Sequence, residues 1–372
     1  MNNWIPENLT LNPSETHITI AMSGGVDSSV TAMLVKEAGF SCSGLFMKNW
    51  NEVDGDGGCR WEEDVEDALN VCETLDIPLN TVDLSQEYWE NVFTLFLDEY
   101  ARGRTPNPDV LCNREIKFKA FVDQARLLSA DFVATGHYVN SRFDGRKLML
   151  LKGLDHSKDQ SYFLHSLTQS QLSSAVFPVG GLTKAEVRHL AKKAGISTHD
   201  KKDSTGICFI GETHFRKFLN RFLPLKKGPI LDLNGQEIGE HHGAAYYTLG
   251  QRKGLGIGGV KNAGEDPWFV VRKDVAKNII FVAQGADNPA LLERKLYTAG
   301  VSWISGEAPQ FPLNCNAKIR YRQADQVCTV SEYTNSELKV TFRDEQRSIT
   351  PGQSIVFYSG DLCLGGGVIS RT

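Results

Sequence analysis

The chain has 372 residues, 41% of them hydrophobic, which is enough to bury more than one core and to divide into two or three domains. A formal net charge of −5 argues against a nonspecific polyanion binder, and the absence of a long apolar stretch or a signal-like N-terminus argues against a membrane and for the cytosol. The eight cysteines are scattered, with no CxxC pair, so a disulfide scaffold, a structural zinc site and a thioredoxin-type motif have little support.

In chain order, residues 17–22 read as a strand, 28–38 as a helix closed by Gly39, 40–47 as a strand and 61–75 as a helix. A strand at 79–84, helices at 86–100 and 117–128 and a strand at 132–135 follow. Such alternation predicts an α/β domain with a doubly wound parallel sheet, Rossmann-like, covered on both faces. After about Leu219 the pattern becomes short strands and glycine turns: 230–233, an Asn234-Gly235 turn, 246–249, 269–272 and 279–283. Strands at 315–321, 326–332, 337–342, 354–358 and 363–369 have the spacing of a small barrel. The expected divisions are 1–218, a central mostly β module at 219–294 and a C-terminal β-barrel at 295–372.

Charge is segregated along the chain. Residues 51–110 hold sixteen acidic against three basic side chains, and residues 184–227 hold eleven basic against four acidic ones. A basic block inside an acidic protein suits either a local contact with nucleic acid or a solvated helical face. The acidic glycine loop at 51–58 is no calcium site, because Val65 stands where the twelfth-position glutamate would be.

The segment Ala21-Met22-Ser23-Gly24-Gly25-Val26-Asp27-Ser28 joins the first strand to the first helix. Glycines there let backbone N–H groups approach an anion, the helix dipole favours negative charge, and Ser23, Ser28 and Ser29 add hydroxyls. Asp27 is placed to cap the helix or to help hold magnesium between phosphates. No lysine follows the glycines, so this is not a Walker A loop. A loop that cradles two terminal phosphates as a unit favours attack at the α-phosphate of ATP, and the string resembles the SGGxDS signature of PP-loop ATP pyrophosphatases.

Two cysteine segments carry further chemistry. In Asn107-Pro108-Asp109-Val110-Leu111-Cys112-Asn113 the thiol is expected near Arg114 and Lys117 with a depressed pKa, and Asp109 is placed to move protons. Cys208 lies in Thr205-Gly206-Ile207-Cys208-Phe209-Ile210-Gly211. These strings, with Phe46-Met47-Lys48-Asn49-Trp50, Ala134-Thr135-Gly136-His137-Tyr138, Lys158-Asp159-Gln160-Ser161-Tyr162 and Arg320-Tyr321-Arg322, resemble the tRNA-specific 2-thiouridylase family in family order.

That resemblance implies adenylation of the C2 oxygen of a tRNA wobble uridine by ATP with magnesium. Cys208 would carry persulfide sulfur received from a relay protein or a cysteine desulfurase, Cys112 would be its partner nucleophile, and Asp109 the acid/base. A Cys112–Cys208 disulfide would be left for reduction. ATP would be held by residues 21–28, Met47 and Gly136. The base would meet Asn107, Pro108 and Asp109, and tRNA would meet His137, Lys158, Asp159, Gln160, Arg320, Tyr321 and Gln353. From the residues alone, Asp109, Cys112 and Cys208 could instead converge on an iron–sulfur cluster. Other readings are an amidating synthetase, a lysidine-type tRNA ligase, or a noncatalytic nucleotide-sensing RNA-binding protein.

Overall fold

A computed structural model describes residues 4–6, 11–50, 60–202, 218–224, 226–257, 264–334 and 336–372. Strands β1 (His17–Met22), β2 (Ser41–Lys48), β3 (Leu79–Asp83) and β4 (Phe132–Ala134) are runs of small and branched residues that pair in parallel. A hairpin of β5 (Val139–Phe143) and β6 (Leu148–Lys152) follows, and then the two-residue β7 (Ala175–Val176). The parallel sheet has the order β3-β2-β1-β4-β7. The chain runs outward from β1 through β3 and then returns to the other side of β1, so β1 and β4 flank a topological switch point, where crevices open beyond the carboxyl ends of strands.

Helices cover both faces. On one lie α1 (Val26–Glu37) and α2 (Arg60–Thr74), sealed by Val30, Val35, Ala68 and Val71. On the other lie α3 (85–101) and α4 (108–127), whose Tyr88, Phe93, Phe96, Ile116 and Phe121 are fully buried. Both contain a π-type stretch, Trp89–Phe93 in α3 and Cys112–Ala120 in α4. Helix α4 begins at Pro108, nine residues before the expected start. Proline is tolerated at the first helical position, where its missing N–H has no partner to lose, and Asn107 caps the helix by accepting from the Asp109 N–H at 3.1 Å. A further helix, α5 (Lys184–Lys193), returns to the α1 face behind a Thr183/Glu186 capping box.

The central module pairs β8 (Gly228–Leu231), β9 (Glu237–His241), β10 (Trp268–Asp274) and β11 (Ile279–Gln284) in the order β10-β11-β8-β9. Residues 246–249 are not the expected strand. Tyr247 is buried in the module core, and the Thr248 N–H donates to Gln251 Oε1 at 3.0 Å, so a turn rather than a ladder satisfies this backbone.

Strands β12 (Leu292–Trp303), β13 (Leu313–Lys318), β14 (Gln326–Glu332), β15 (Glu337–Arg347), β16 (Ser354–Ser359) and β17 (Leu362–Arg371) form a six-stranded barrel closed by β12 on β17. The barrel sheet does not end there. Strand β6 pairs with β17 through Leu151↔Leu362 and Leu150↔Cys363, so the hairpin that follows β4 extends the barrel's sheet. No helix among the described residues is long and apolar enough to cross a membrane.

Candidate active site

The loop between β1 and α1 stands at the switch point. Gly24 has φ +68° and lies so close to α2 that a Cβ would come within 2.3 Å of the Asp64 carbonyl oxygen. Gly136, just past β4, approaches from the other side, where a Cβ would meet the Asp27 carbonyl carbon at 2.8 Å and the Ser28 nitrogen at 2.9 Å. The two glycines bring three backbone segments together around the first turn of α1. Ser28 Oγ accepts from the Ser23 N–H at 3.2 Å and donates to the Gly25 carbonyl at 2.9 Å, which fixes the loop's curvature. Met47 is the penultimate residue of β2, one past the Phe46 that pairs with Met22, and half-buried against the core beneath α3 and α4.

Asp27 does not cap α1 through its side chain. Its carboxylate receives Lys184 Nζ at 2.7 and 2.8 Å and the Tyr138 hydroxyl at 2.7 Å. A lone carboxylate at an anion site would repel phosphate, and Lys184 removes that charge while placing an ammonium at the loop. Lys184 escaped the sequence reading because it looks like an ordinary N-terminal residue of an amphipathic helix. The only local signal was the capping box that fixes where α5 begins.

Asp109 lies in the first turn of α4 and Cys112 one turn further in, 1% exposed. Cys112 is therefore inside the helix rather than at its N-terminus, and the position facing the dipole belongs to Asp109. Burial pushes the Asp109 carboxyl above the ordinary carboxylate range, and Lys117 pulls it part of the way back. Cys208 lies outside the described residues. The chain on either side of it is anchored, however. Ahead of it Lys201 Nζ bonds Asp64 at 2.7 Å and Asp67 at 2.5 Å on α2, while Thr198 shares a hydroxyl contact of 3.0 Å with Ser29 of α1. Behind it Phe218 and Leu219 enter the same core as Cys112. One end is fixed beside the β1–α1 loop and the other in the core that holds Cys112.

The remaining candidates fall into two groups. His137 is buried, with Nδ1 2.9 Å from Thr135 Oγ1, and burial together with Lys117 holds its imidazole well below the usual pKa, hence neutral. Gln160 Oε1 accepts the Tyr138 N–H at 2.9 Å, which places it next to the Asp27 pair. Asp159 is 4% exposed, and its oxygens take Ser161 and Gly153 N–H groups, the Ser161 hydroxyl and, at 3.5 Å, Lys318. It is held inward, beneath Lys158, whose carbonyl faces the Tyr321 hydroxyl at 3.5 Å. The Tyr321 ring packs on Phe163 with centroids 4.5 Å apart.

The second group lies at the seam of barrel and central module. Arg320 donates to the carbonyls of Leu249 at 3.2 Å and Ser348 at 2.9 Å and to Thr350 Oγ1 at 3.2 Å. Gln353 Nε2 donates to the Thr105 carbonyl at 2.8 Å. Among the described residues no three His, Cys, Asp or Glu side chains are grouped to hold a metal.

Comparison with known proteins agrees with this architecture. Family profiles described as a tRNA methyl transferase HUP domain, a tRNA methyl transferase PRC-barrel domain and an aminomethyltransferase beta-barrel domain match residues 16–212, 216–284 and 293–369. The tRNA-specific 2-thiouridylase MnmA of Francisella philomiragia is 52% identical over 353 residues, 95% of this chain and 98% of that one. Its namesake in Pseudomonas entomophila is 53% identical over 357 residues, 96% of this chain and 95% of that one. Among solved structures, the U34-tRNA thiolase NcsA of Methanococcus maripaludis is 18% identical with a TM-score of 0.34, covering 56% of this chain and 67% of that one. With one profile spanning more than half of its residues and relatives above 50% identity along nearly its whole length, the chain belongs to the tRNA-specific 2-thiouridylase family.

Proposed function

We propose that the protein thiolates C2 of a tRNA wobble uridine at the expense of ATP, releasing AMP and pyrophosphate. The observation that carries this reading is the pairing of a phosphate loop at the switch point with a buried thiol one turn beyond an elevated carboxyl. The loop suits a triphosphate: two glycines remove the Cβ atoms that would crowd it, helix α1 points its N-terminus at it, and Lys184 neutralises Asp27. Magnesium would arrive with the nucleotide and supply positive charge to its phosphates.

The uridine C2 oxygen attacks the α-phosphorus, pyrophosphate leaves, and the oxygen becomes part of an AMP leaving group. The terminal sulfur of a Cys208 persulfide then bonds to C2 as the C–O bond to AMP breaks. The Cys112 thiolate attacks the inner Cys208 sulfur, the persulfide S–S bond breaks, and the electron pair remains as the thiocarbonyl of 2-thiouridine. A thiol reductant supplies two electrons to reopen the resulting Cys112–Cys208 disulfide. Asp109, whose carboxyl is made a weaker acid by burial, moves the proton at the uridine ring or at Cys112. His137, Gln160, Lys158, Arg320 and Tyr321 frame the tRNA, while Gln353 spends its amide on the Thr105 carbonyl, and a cytosolic persulfide relay protein or desulfurase charges Cys208.

The test is incubation with ATP, magnesium, a persulfide donor and unmodified glutamate or lysine tRNA, followed by nucleoside mass spectrometry. Appearance of 2-thiouridine and AMP, with thiolation lost in Cys208→Ser, is the expected result. AMP without thiolated tRNA would redirect the reading to another acceptor, as in an amidating synthetase or a lysidine-type ligase. Iron and sulfide far below stoichiometry in active, anaerobically purified protein would dispose of the cluster alternative.

A further inference from the structure

The segment leading into α4 is held in an unusual way. Every polar group of Thr105 is taken by another part of the molecule. Its N–H donates to the Pro351 carbonyl at 3.0 Å and its carbonyl accepts Gln353 Nε2 at 2.8 Å, both from the barrel. Its hydroxyl lies 3.3 Å from that of Thr248 in the central module. Close packing reinforces the polar contacts. Gly103 has φ +73°, and a Cβ there would fall 2.2 Å from Val275 Cγ2 of the central module. Gly352 has φ +94°, and a Cβ there would fall 2.8 Å from the Thr105 nitrogen. Two residues after Thr105 comes Asn107, the cap of α4, and then Asp109 and Cys112.

The barrel side of this junction is itself tied to Arg320. The Gln353 N–H bonds the Thr350 carbonyl, and Arg320 bonds Thr350 Oγ1 and Ser348 while reaching Leu249 in the module. The turn at 348–353 therefore touches a residue placed at the tRNA surface and, one residue later, the strut that sets where α4 begins.

We propose that Thr105, Gly352 and Gln353 form a joint that positions Asp109 and Cys112 and couples their placement to tRNA seated on the barrel. Thr105 and Gly352 are positioning residues, and Gln353 acts through the Thr105 carbonyl. This rests on the thiolation reading above. The chemistry gives the coupling a purpose, because a persulfide and an adenylating loop brought together without the base would waste ATP and sulfur. Displacements of about 1 Å at a reacting group cost up to 10²-fold in rate, so a joint whose Thr105 lies four residues from Asp109 and seven from Cys112 is near enough to govern kcat.

The experiment compares Gly352→Ala and Gln353→Ala with wild type for kcat of thiolation at saturating tRNA, tRNA Kd and hydrogen exchange of amides 105–112. The joint predicts a kcat loss of about 10- to 100-fold, a Kd within about twofold and faster exchange across 105–112, with exchange in wild type slowed by added tRNA. Should Gly352→Ala not fold, Thr105→Val must lower kcat and Thr105→Ser must restore it. A raised Kd with unchanged kcat would make Gln353 a tRNA contact only and overturn the joint, as would unchanged exchange in both variants. Wild-type protein that binds tRNA but forms no 2-thiouridine would sink the thiolation reading instead, and tRNA-dependent exchange at 105–112 would still report on the joint.

Discussion

Asp109 illustrates how one side chain can trade stability for chemistry. Burial raises its carboxyl, so the folded protein holds that proton more tightly than the unfolded chain does. Ionising it therefore costs stability progressively as pH climbs from the ordinary carboxylate range through the raised folded value. Asp109→Asn removes that cost. At neutral pH the variant should melt no lower than wild type, with its advantage shrinking as pH falls, while thiolation drops about 10²- to 10⁴-fold. Full activity in this variant would remove Asp109 from the proposed mechanism. A second test at this scale concerns Gly24, which shares a positive φ with Gly145 but not its open surroundings. Gly24→Ala should cost about 1–3 kcal/mol more than Gly145→Ala, because only the former drives a methyl into α2, and it should abolish ATP binding by isothermal titration.

At the scale of elements, the cap of α4 decides where its reactive groups sit. Asn107→Ala should cost about 1 kcal/mol in denaturant unfolding and depress kcat, whereas Asn107→Asp should keep most of both. An unchanged midpoint in the alanine variant would mean that Pro108 and the packing of Val110 set the helix start by themselves. This element also shows where sequence reading succeeds and where it stops. Strand β1 was legible to the residue and the turn after it to within two, because a buried β-branched run meeting two glycines has few other meanings. The start of α4 was not, because two prolines flanking an asparagine suggest a loop until one of them is recognised as an N1 residue. The β5–β6 hairpin went unread for a different reason. Its burial is settled by β17 more than two hundred residues away, and no local period carries that information. Lys184 and its ion pair with Asp27, 157 residues apart, belong with the hairpin: the partner appears only once the chain is folded.

For the molecule as a whole, the parallel-sheet unit and the barrel share a core and should unfold together. Val139, Leu148 and Leu150 of the hairpin pack with Val356, Tyr358 and Cys363 of the barrel, so neither side closes its apolar surface alone. Across the same seam runs a buried charge network. Lys152 bonds Asp325 at 2.7 Å, Lys318 lies 3.5 Å from Asp159 and 3.7 Å from Asp325, and both ammonium groups face the Tyr358 ring. Removing one member of a buried network takes away a counter-charge, and Asp159, with a side chain 2% exposed, keeps only its neutral Ser161 and Gly153 donors. Lys318→Met should therefore destabilise the protein by about 3–5 kcal/mol. Because the seam belongs to both units, the loss should appear in calorimetry as one transition moved down in temperature, with the ratio of calorimetric to van't Hoff enthalpy unchanged. Two resolved transitions, only one of them shifted, would instead mean that the barrel melts independently and that β6 adheres to it without joining its cooperative unit.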